Sequence, residues 1–77
     1  MQTIIVTVNQ QGDKTALRID GKVIATIAKD SFNKGRYCGS FGAFGRCNNS
    51  RYPDAVEFIS GCIENHFAGF GLNVVFE

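Results

Sequence analysis

Asp20 followed by Gly21 is the feature that most constrains the fold, because the pair separates two segments in which apolar and polar residues alternate. An Asp-Gly pair is typical of a tight β-hairpin turn, since glycine adopts a positive φ at little cost. Lys14–Ile19 precedes the turn and Lys22–Lys29 follows it. Residues 2–9 are rich in β-branched side chains and alternate in the same way. The pattern predicts three antiparallel strands, with another turn at residues 10–13.

The register of the third strand is open on the sequence alone. A two-residue turn places Leu17 opposite Ile24, whereas a three-residue turn with a glycine bulge places Leu17 opposite Val23. The second is favoured because it collects three apolar residues on one face, namely Val23, Ala25 and Ile27. It leaves a mildly basic face near Ile24 and Thr26, formed by Lys14, Arg18 and Lys22.

Apolar residues then recur at helical period after Pro53 and form one stripe, with Phe58 at its edge. The stripe consists of Ala55, Val56, Ile59, Cys62, Ile63, His66 and Phe67. Ser50 is the predicted N-cap, and Gly69 or Gly71 is predicted to end the helix. Residues 72–77 form a last short strand, which a returning helix would allow to lie beside the first strand and roughly parallel to it.

The chain of 77 residues is therefore predicted to be one α+β domain, residues 1–77, in the order β-β-β-α-β. One helix packs on one face of a small antiparallel sheet, and the other face has no helix to cover it. Residues 35–50 (GRYCGSFGAFGRCNNS) fit neither pattern and are predicted to be a long loop rich in glycine and aromatic residues.

This loop is the predicted working surface, and the alternative is that the rings of this region fold back onto the sheet and pack there, namely Tyr37, Phe41, Phe44 and Tyr52. Residues 31–53 contain Lys and Arg but no acid, whereas residues 54–77 contain acids but no Lys or Arg. The glycine spacing lacks both the GxGxxG order after a strand and the GK[ST] ending of nucleotide-binding loops. Arginines interleaved with rings suit a protein interface or nucleic-acid bases. The predicted partner-binding residues are Arg36, Tyr37, Phe41, Phe44, Arg46 and Arg51, with Lys14, Arg18 and Lys22 as a second patch.

The three cysteines and the single histidine include four potential zinc ligands: Cys38, Cys47, Cys62 and His66. Cys62 and His66 are one helical turn apart, a spacing that zinc sites use. The first two cysteines lack the close CxxC spacing, and the helical pair lies on the stripe that should face the core. We therefore expect free thiols that pack, with no metal and no cofactor. A Cys38–Cys47 disulfide, which needs an oxidising environment, and a small zinc-stabilised module stay as alternatives.

The sheet-plus-helix plan resembles, in size and outline only, double-stranded RNA-binding domains and many small phage-encoded inhibitors, including some anti-CRISPR proteins. An acidic helix disfavours the first comparison. The sequence contains no catalytic set, no apolar run long enough for a membrane span and no signal peptide. We therefore expect a cytoplasmic, non-enzymatic inhibitor of phage or mobile-element type that blocks a site on a larger host protein or ribonucleoprotein. The alternative is a single-stranded nucleic-acid-binding module that uses the loop, and a homodimer stays open.

Overall fold

A computed structural model describes residues 2–77 and shows an α+β fold, a six-stranded, mostly antiparallel sheet with one helix on one face. The elements are β1 (Thr3–Gln11), β2 (Lys14–Ile19), β3 (Lys22–Lys29), β4 (Tyr37–Ser40), β5 (Arg46–Ser50), α1 (Tyr52–Ala68) and β6 (Asn73–Phe76). Their order across the sheet is β5-β4-β3-β2-β1-β6. The predicted β-β-β-α-β order is therefore right in outline and lacks two strands.

The two missing strands lie in the segment predicted to be a loop. β4 pairs with β3 and with β5, both antiparallel, so residues 37–50 form a hairpin that extends the sheet. Phe44 N–H donates to the carbonyl of Phe41 in the turn of this hairpin, at 2.9 Å. The prediction of an irregular loop was wrong, because β4 and β5 consist of small and polar residues and do not alternate apolar with polar side chains.

The last strand lies beside the first, an arrangement that the sequence allowed and left open. β6 lies parallel to β1, with Thr3 opposite Asn73 and Val6 opposite Phe76. The connection passes through α1, which crosses one face of the sheet before the chain returns to the far edge. The first and last strands are thus neighbours.

The register between β2 and β3 differs from the favoured prediction. Asp20 and Gly21 form a two-residue turn in which both have positive φ, 51° and 80°, as a type I′ turn requires. A bulge then shifts the pairing, so that Leu17 lies opposite Ala25 and Arg18 opposite Val23. The extra residue is Ile24, which packs against the core. A correction follows for Lys22, which pairs with Ile19 on the helix side of the sheet and not on the face of Arg18.

The core lies between α1 and the sheet. It is formed by side chains from β1, β2, β3, the β4–β5 turn and α1, namely Val6, Leu17, Ala25, Ile27, Phe41, Ala55, Ile59 and Ile63. The three buried helical residues belong to the apolar stripe that the sequence predicted. The hydroxyl of buried Thr15 on β2 bonds that of Tyr52, the first residue of α1, at 2.7 Å.

The helix ends need one correction. Arg51, not Ser50, is the N-cap, and its side chain makes no capping bond. Ser50 is the last residue of β5, where its Oγ donates to the carbonyl of Asn48. Gly69 is the C-cap, and Gly71 just beyond it has a φ of 74°. Neither its length nor its apolar content would let α1 cross a bilayer, and α1 is the sole helix in residues 2–77.

Candidate functional site

Charges of opposite sign are divided between the two layers of the molecule. None of the seven acidic residues lies in a strand, whereas the strands contain five basic residues. α1 contains Asp54, Glu57 and Glu64, all exposed, and no Lys or Arg. The sheet layer is therefore basic and the helix layer acidic. The electrostatic potential at the surface is positive on the sheet side and negative on the helix side.

The side of the sheet that α1 does not cover is called the open face here. The strand registers place Lys14, Arg18 and Arg46 on it, and no open-face position of a strand in residues 2–77 is acidic or aromatic. A depression of about 460 Å³ lies on this face between β1, β2 and β3. Its lining includes Asn9, Gln11, Lys14, Arg18 and Thr26. The predicted basic patch thus exists without Lys22.

On the other side of the sheet, the β4–β5 hairpin lies directly against α1. A Cβ on Gly39 would stand 2.6 Å from Ile59 Cγ1, and a Cβ on Gly45 would stand 2.5 Å from Cys62 Sγ. Real Cβ atoms essentially never approach so closely. Glycine at these two positions therefore permits the close packing of hairpin and helix, which no alternation pattern in the sequence reveals.

This packing creates a group of rings, called the aromatic surface here, which consists of the exposed Phe44, Phe58 and Phe70 and the half-buried His66. The ring centroids of His66 and Phe44 are 4.2 Å apart, and those of His66 and Phe70 are 5.5 Å apart. Phe58 lies on the same flank of α1, with its ring 4.0 Å from the position of a Cβ on Gly45. The three phenylalanines are 64%, 47% and 71% exposed in chain order. Buried Phe41 and half-buried Phe67 also contact His66 and hold its ring in place.

The structure separates the residues that were predicted to form one loop surface. Tyr37 packs edge-on against Tyr52, with centroids 5.1 Å apart, and Phe41 is buried in the core. Phe44 belongs to the aromatic surface, whereas Arg46 lies on the open face. Exposed Arg36 precedes β4, and exposed Arg51 precedes α1. The rings and arginines therefore do not interleave on one surface.

Asp30 fixes the end of the sheet from which the hairpin begins. Its carboxylate accepts hydrogen bonds from the N–H groups of Phe32 and Asn33, from Asn33 Nδ2, and from the N–H of Asn49 at 2.9 Å. Asn49 has a φ of 50° and lies where the β4–β5 register shifts. These bonds, led by the one from the Asn33 side chain, hold the pKa of Asp30 well below its usual range.

The cysteines do not converge with the histidine. Cys47 lies on the helix side, with Sγ 3.0 Å from the Cβ position of Gly39, whereas Cys38, next to Gly39 along the strand, points to the open face. Burial raises the pKa of the Cys38 thiol, and its hydrogen bond with the Asp30 carboxylate raises it further. All three thiols are free, and no three His, Cys, Asp or Glu side chains of residues 2–77 are grouped to hold a metal ion.

A scan of the chain against protein-family models finds no match, and neither does a search of curated proteins or of solved structures. The surfaces themselves are therefore the basis for a functional argument.

Sequence reasoning missed two members of the aromatic surface. Phe58 was noted only as the edge of the helical stripe, and Phe70 was not singled out. A signal for Phe70 was present, because a large apolar residue stands alone between Gly69 and Gly71, beyond the end of the helical stripe.

Proposed function

We propose that this chain is a non-enzymatic binding protein that occupies a site on a larger host protein or ribonucleoprotein, as small inhibitors from phages and mobile elements do. The aromatic surface is the observation that carries the proposal. Three phenylalanine rings are exposed in this surface, where Phe44 and Phe70 contact His66 and Phe58 lies beside Gly45. Contiguous exposed apolar patches on small proteins mark interaction sites, whereas single exposed apolar residues are ordinary.

Transfer of these rings from water into a partner's pocket is favourable. Burial of one phenylalanine side chain contributes about 1.5–3 kcal/mol before the costs of association are subtracted. Phe44 is already held against His66 and Phe41, with centroids 4.2 and 5.4 Å apart. Because that ring is ordered before binding, less conformational entropy is lost when the partner closes over it.

The charges near the aromatic surface indicate the chemistry of the partner. Asp54, Glu57 and Glu64 are exposed on the same helix as Phe58, and α1 has no Lys or Arg. An apolar pocket with a basic rim would complement this arrangement. Nucleic-acid-binding proteins present basic surfaces, so a protein of that class, in the cytoplasm, is the partner that we propose.

A non-enzymatic role also agrees with the environment of His66, the one histidine of the chain. The centroid of its ring lies within 5.5 Å of the centroids of four phenylalanine rings, namely Phe41, Phe44, Phe67 and Phe70.

The alternative, single-stranded nucleic-acid binding by residues 35–50, has less support because stacking needs rings and cations on one surface. Phe41 is buried, half-buried Tyr37 packs against Tyr52, and Arg46 lies on the opposite face from Phe44.

Capture from a host lysate, followed by titration with the purified partner, tests the proposal. Phe58→Ser and Phe70→Ser should each reduce capture, and together they should abolish it. Phe32→Ser is the matched control, because Phe32 is 93% exposed but lies in the β3–β4 connection, away from the aromatic surface. Retained binding by the double variant, or an equal loss in Phe32→Ser, would show that the aromatic surface is not the binding site.

A further inference from the structure

We infer that the open face binds the sugar-phosphate backbone of a nucleic-acid duplex. The first step is the sign of its charge. Lys14, Arg18 and Arg46 lie on this face, and not one of the six strands contains Asp or Glu. A polyanion is therefore attracted to this face, while the acidic helix layer on the opposite side repels it.

The second step is the kind of polar group beside the charges. Within the depression, Asn9, Gln11 and Thr26 accompany Lys14 and Arg18. Amide, hydroxyl, ammonium and guanidinium groups are the donors that proteins use toward phosphate and sugar oxygens. Arg18 donates one of its N–H groups to the carbonyl of Gly21, which orients the side chain and leaves its other donors for a ligand.

The third step distinguishes a duplex from other anions. Proteins that bind single strands stack bases on aromatic rings, and the open face has no ring among the strand residues of 2–77. An acidic protein would need apolar anchors at the centre of the interface. The depression is instead lined mainly by polar side chains, with Ala16 and Val23 as its apolar members, and the exposed Ile5 and Val75 lie outside it, where β1 pairs with β6. Contacts to the backbone of a duplex need neither rings nor anchors.

The inference goes beyond the proposed function and uses the opposite side of the molecule. If both hold, the chain can contact the protein of a ribonucleoprotein through the aromatic surface and its duplex through the open face.

Fluorescence anisotropy with a short labelled RNA duplex, and a DNA duplex of equal length, tests the inference on the intact chain. Binding is expected at low salt, with a slope of log K against log salt of about −3, because three cations each contribute about −0.9. Lys14→Glu and Arg46→Glu together should weaken binding by about tenfold or more. Lys14→Glu alone should weaken it clearly more than Lys22→Glu, which is the matched control because it makes the same charge change on the helix side.

Four outcomes would overturn the inference. They are no binding by the unaltered chain at low salt, an equal loss in Lys22→Glu, tighter binding of a single strand than of the duplex, and displacement by poly-glutamate as efficient as by unlabelled duplex. The last would assign the face to acidic proteins. Phe58→Ser with Phe70→Ser should bind the duplex normally, so failure of this inference and failure of the proposed function are distinguishable. Lys14 and Arg46 are exposed, and circular dichroism of each variant checks folding.

Discussion

The Thr15 and Tyr52 hydroxyls, 2.7 Å apart, join the middle of the sheet to the first turn of the helix across 37 residues of sequence. Thr15 is 1% exposed, so water cannot replace this partner. The Tyr52 ring also packs edge-on against Tyr37 of β4. One helical residue thus connects β2, β4 and α1, and sets the position from which α1 crosses the sheet.

Tyr52→Phe should destabilise the fold by about 1–3 kcal/mol, because it leaves the Thr15 hydroxyl buried without its partner. For a domain of this size, that loss lowers Tm by several degrees, at about 4–8 °C per kcal/mol. Thr15→Val combined with Tyr52→Phe removes both polar groups and should lose less than Tyr52→Phe alone. Urea unfolding of these two variants and of Thr15→Val alone measures this, and additive losses would contradict the hydrogen bond as the cause.

Gly39→Ala and Gly61→Ala should shift stability in opposite directions. A Cβ on Gly39 meets the fully buried Ile59 and the thiol of Cys47, so the alanine overpacks the interface and costs about 1–3 kcal/mol. A Cβ on Gly61 meets nothing within 4 Å, and alanine in a helix interior is better than glycine by about 0.5–1 kcal/mol. Thermal unfolding checks both. An unchanged Tm for Gly39→Ala would show that the hairpin can move away from α1.

Acid should weaken the fold through Asp30. Its folded-state pKa is depressed by the bonds from Asn33, Phe32 and Asn49, so its stabilisation is complete above the unfolded value of about 4 and is lost as the pH falls below it. Asp30→Asn should lower stability at neutral pH and flatten the decline below about pH 4. Glu64→Gln, on the exposed face of α1, should leave the curve unchanged. Urea midpoints measured from pH 7 to 2 supply the comparison, and an unaltered acid decline in Asp30→Asn would exclude its carboxylate as the source.

Oxidation should not link Cys38 to Cys47, because the two side chains lie on opposite faces of the sheet. Treatment of the folded protein with oxidised glutathione, followed by denaturation and alkylation, should show all three thiols without an internal bridge. Because its thiol pKa is raised, Cys38 should also react with iodoacetamide more slowly at pH 8 when folded than when unfolded. A Cys38–Cys47 cross-linked peptide in the mass spectrum would contradict the placement.

The sequence predicted the elements whose patterns are repeated and local. Alternation in β1, β2 and β3, a hairpin at Asp20 and Gly21, and the helical stripe around Ile59 were all predicted. The two-residue type I′ turn was not the favoured alternative, and the pairing of β6 with β1 was left open. The register between β2 and β3 could not be predicted from these patterns. Ile24 is the extra residue of the bulge and packs against the core, so its position depends on the tertiary packing of the core.

The hairpin and the aromatic surface depended on tertiary packing. Gly39 in β4 and Gly45 before β5 leave room for α1, and such glycines resemble loop residues when the helix is not known. Phe44 and Phe70 are far apart in sequence and belong to one surface because both rings pack on His66. The basic patch could be predicted in sign but not in membership, since one bulge moves Lys22 to the other face.

The parallel pairing of β1 with β6 has a consequence for the order in which the chain can assemble during synthesis. Thr3 emerges from the ribosome before the other strands do, yet its partner Asn73 emerges only after every other strand and the helix. Until then, β1 exposes unpaired backbone groups along one side while β2 and β3 can already pair. This open edge offers a nascent chain a site for a chaperone, or for a wrong strand, before β6 covers it.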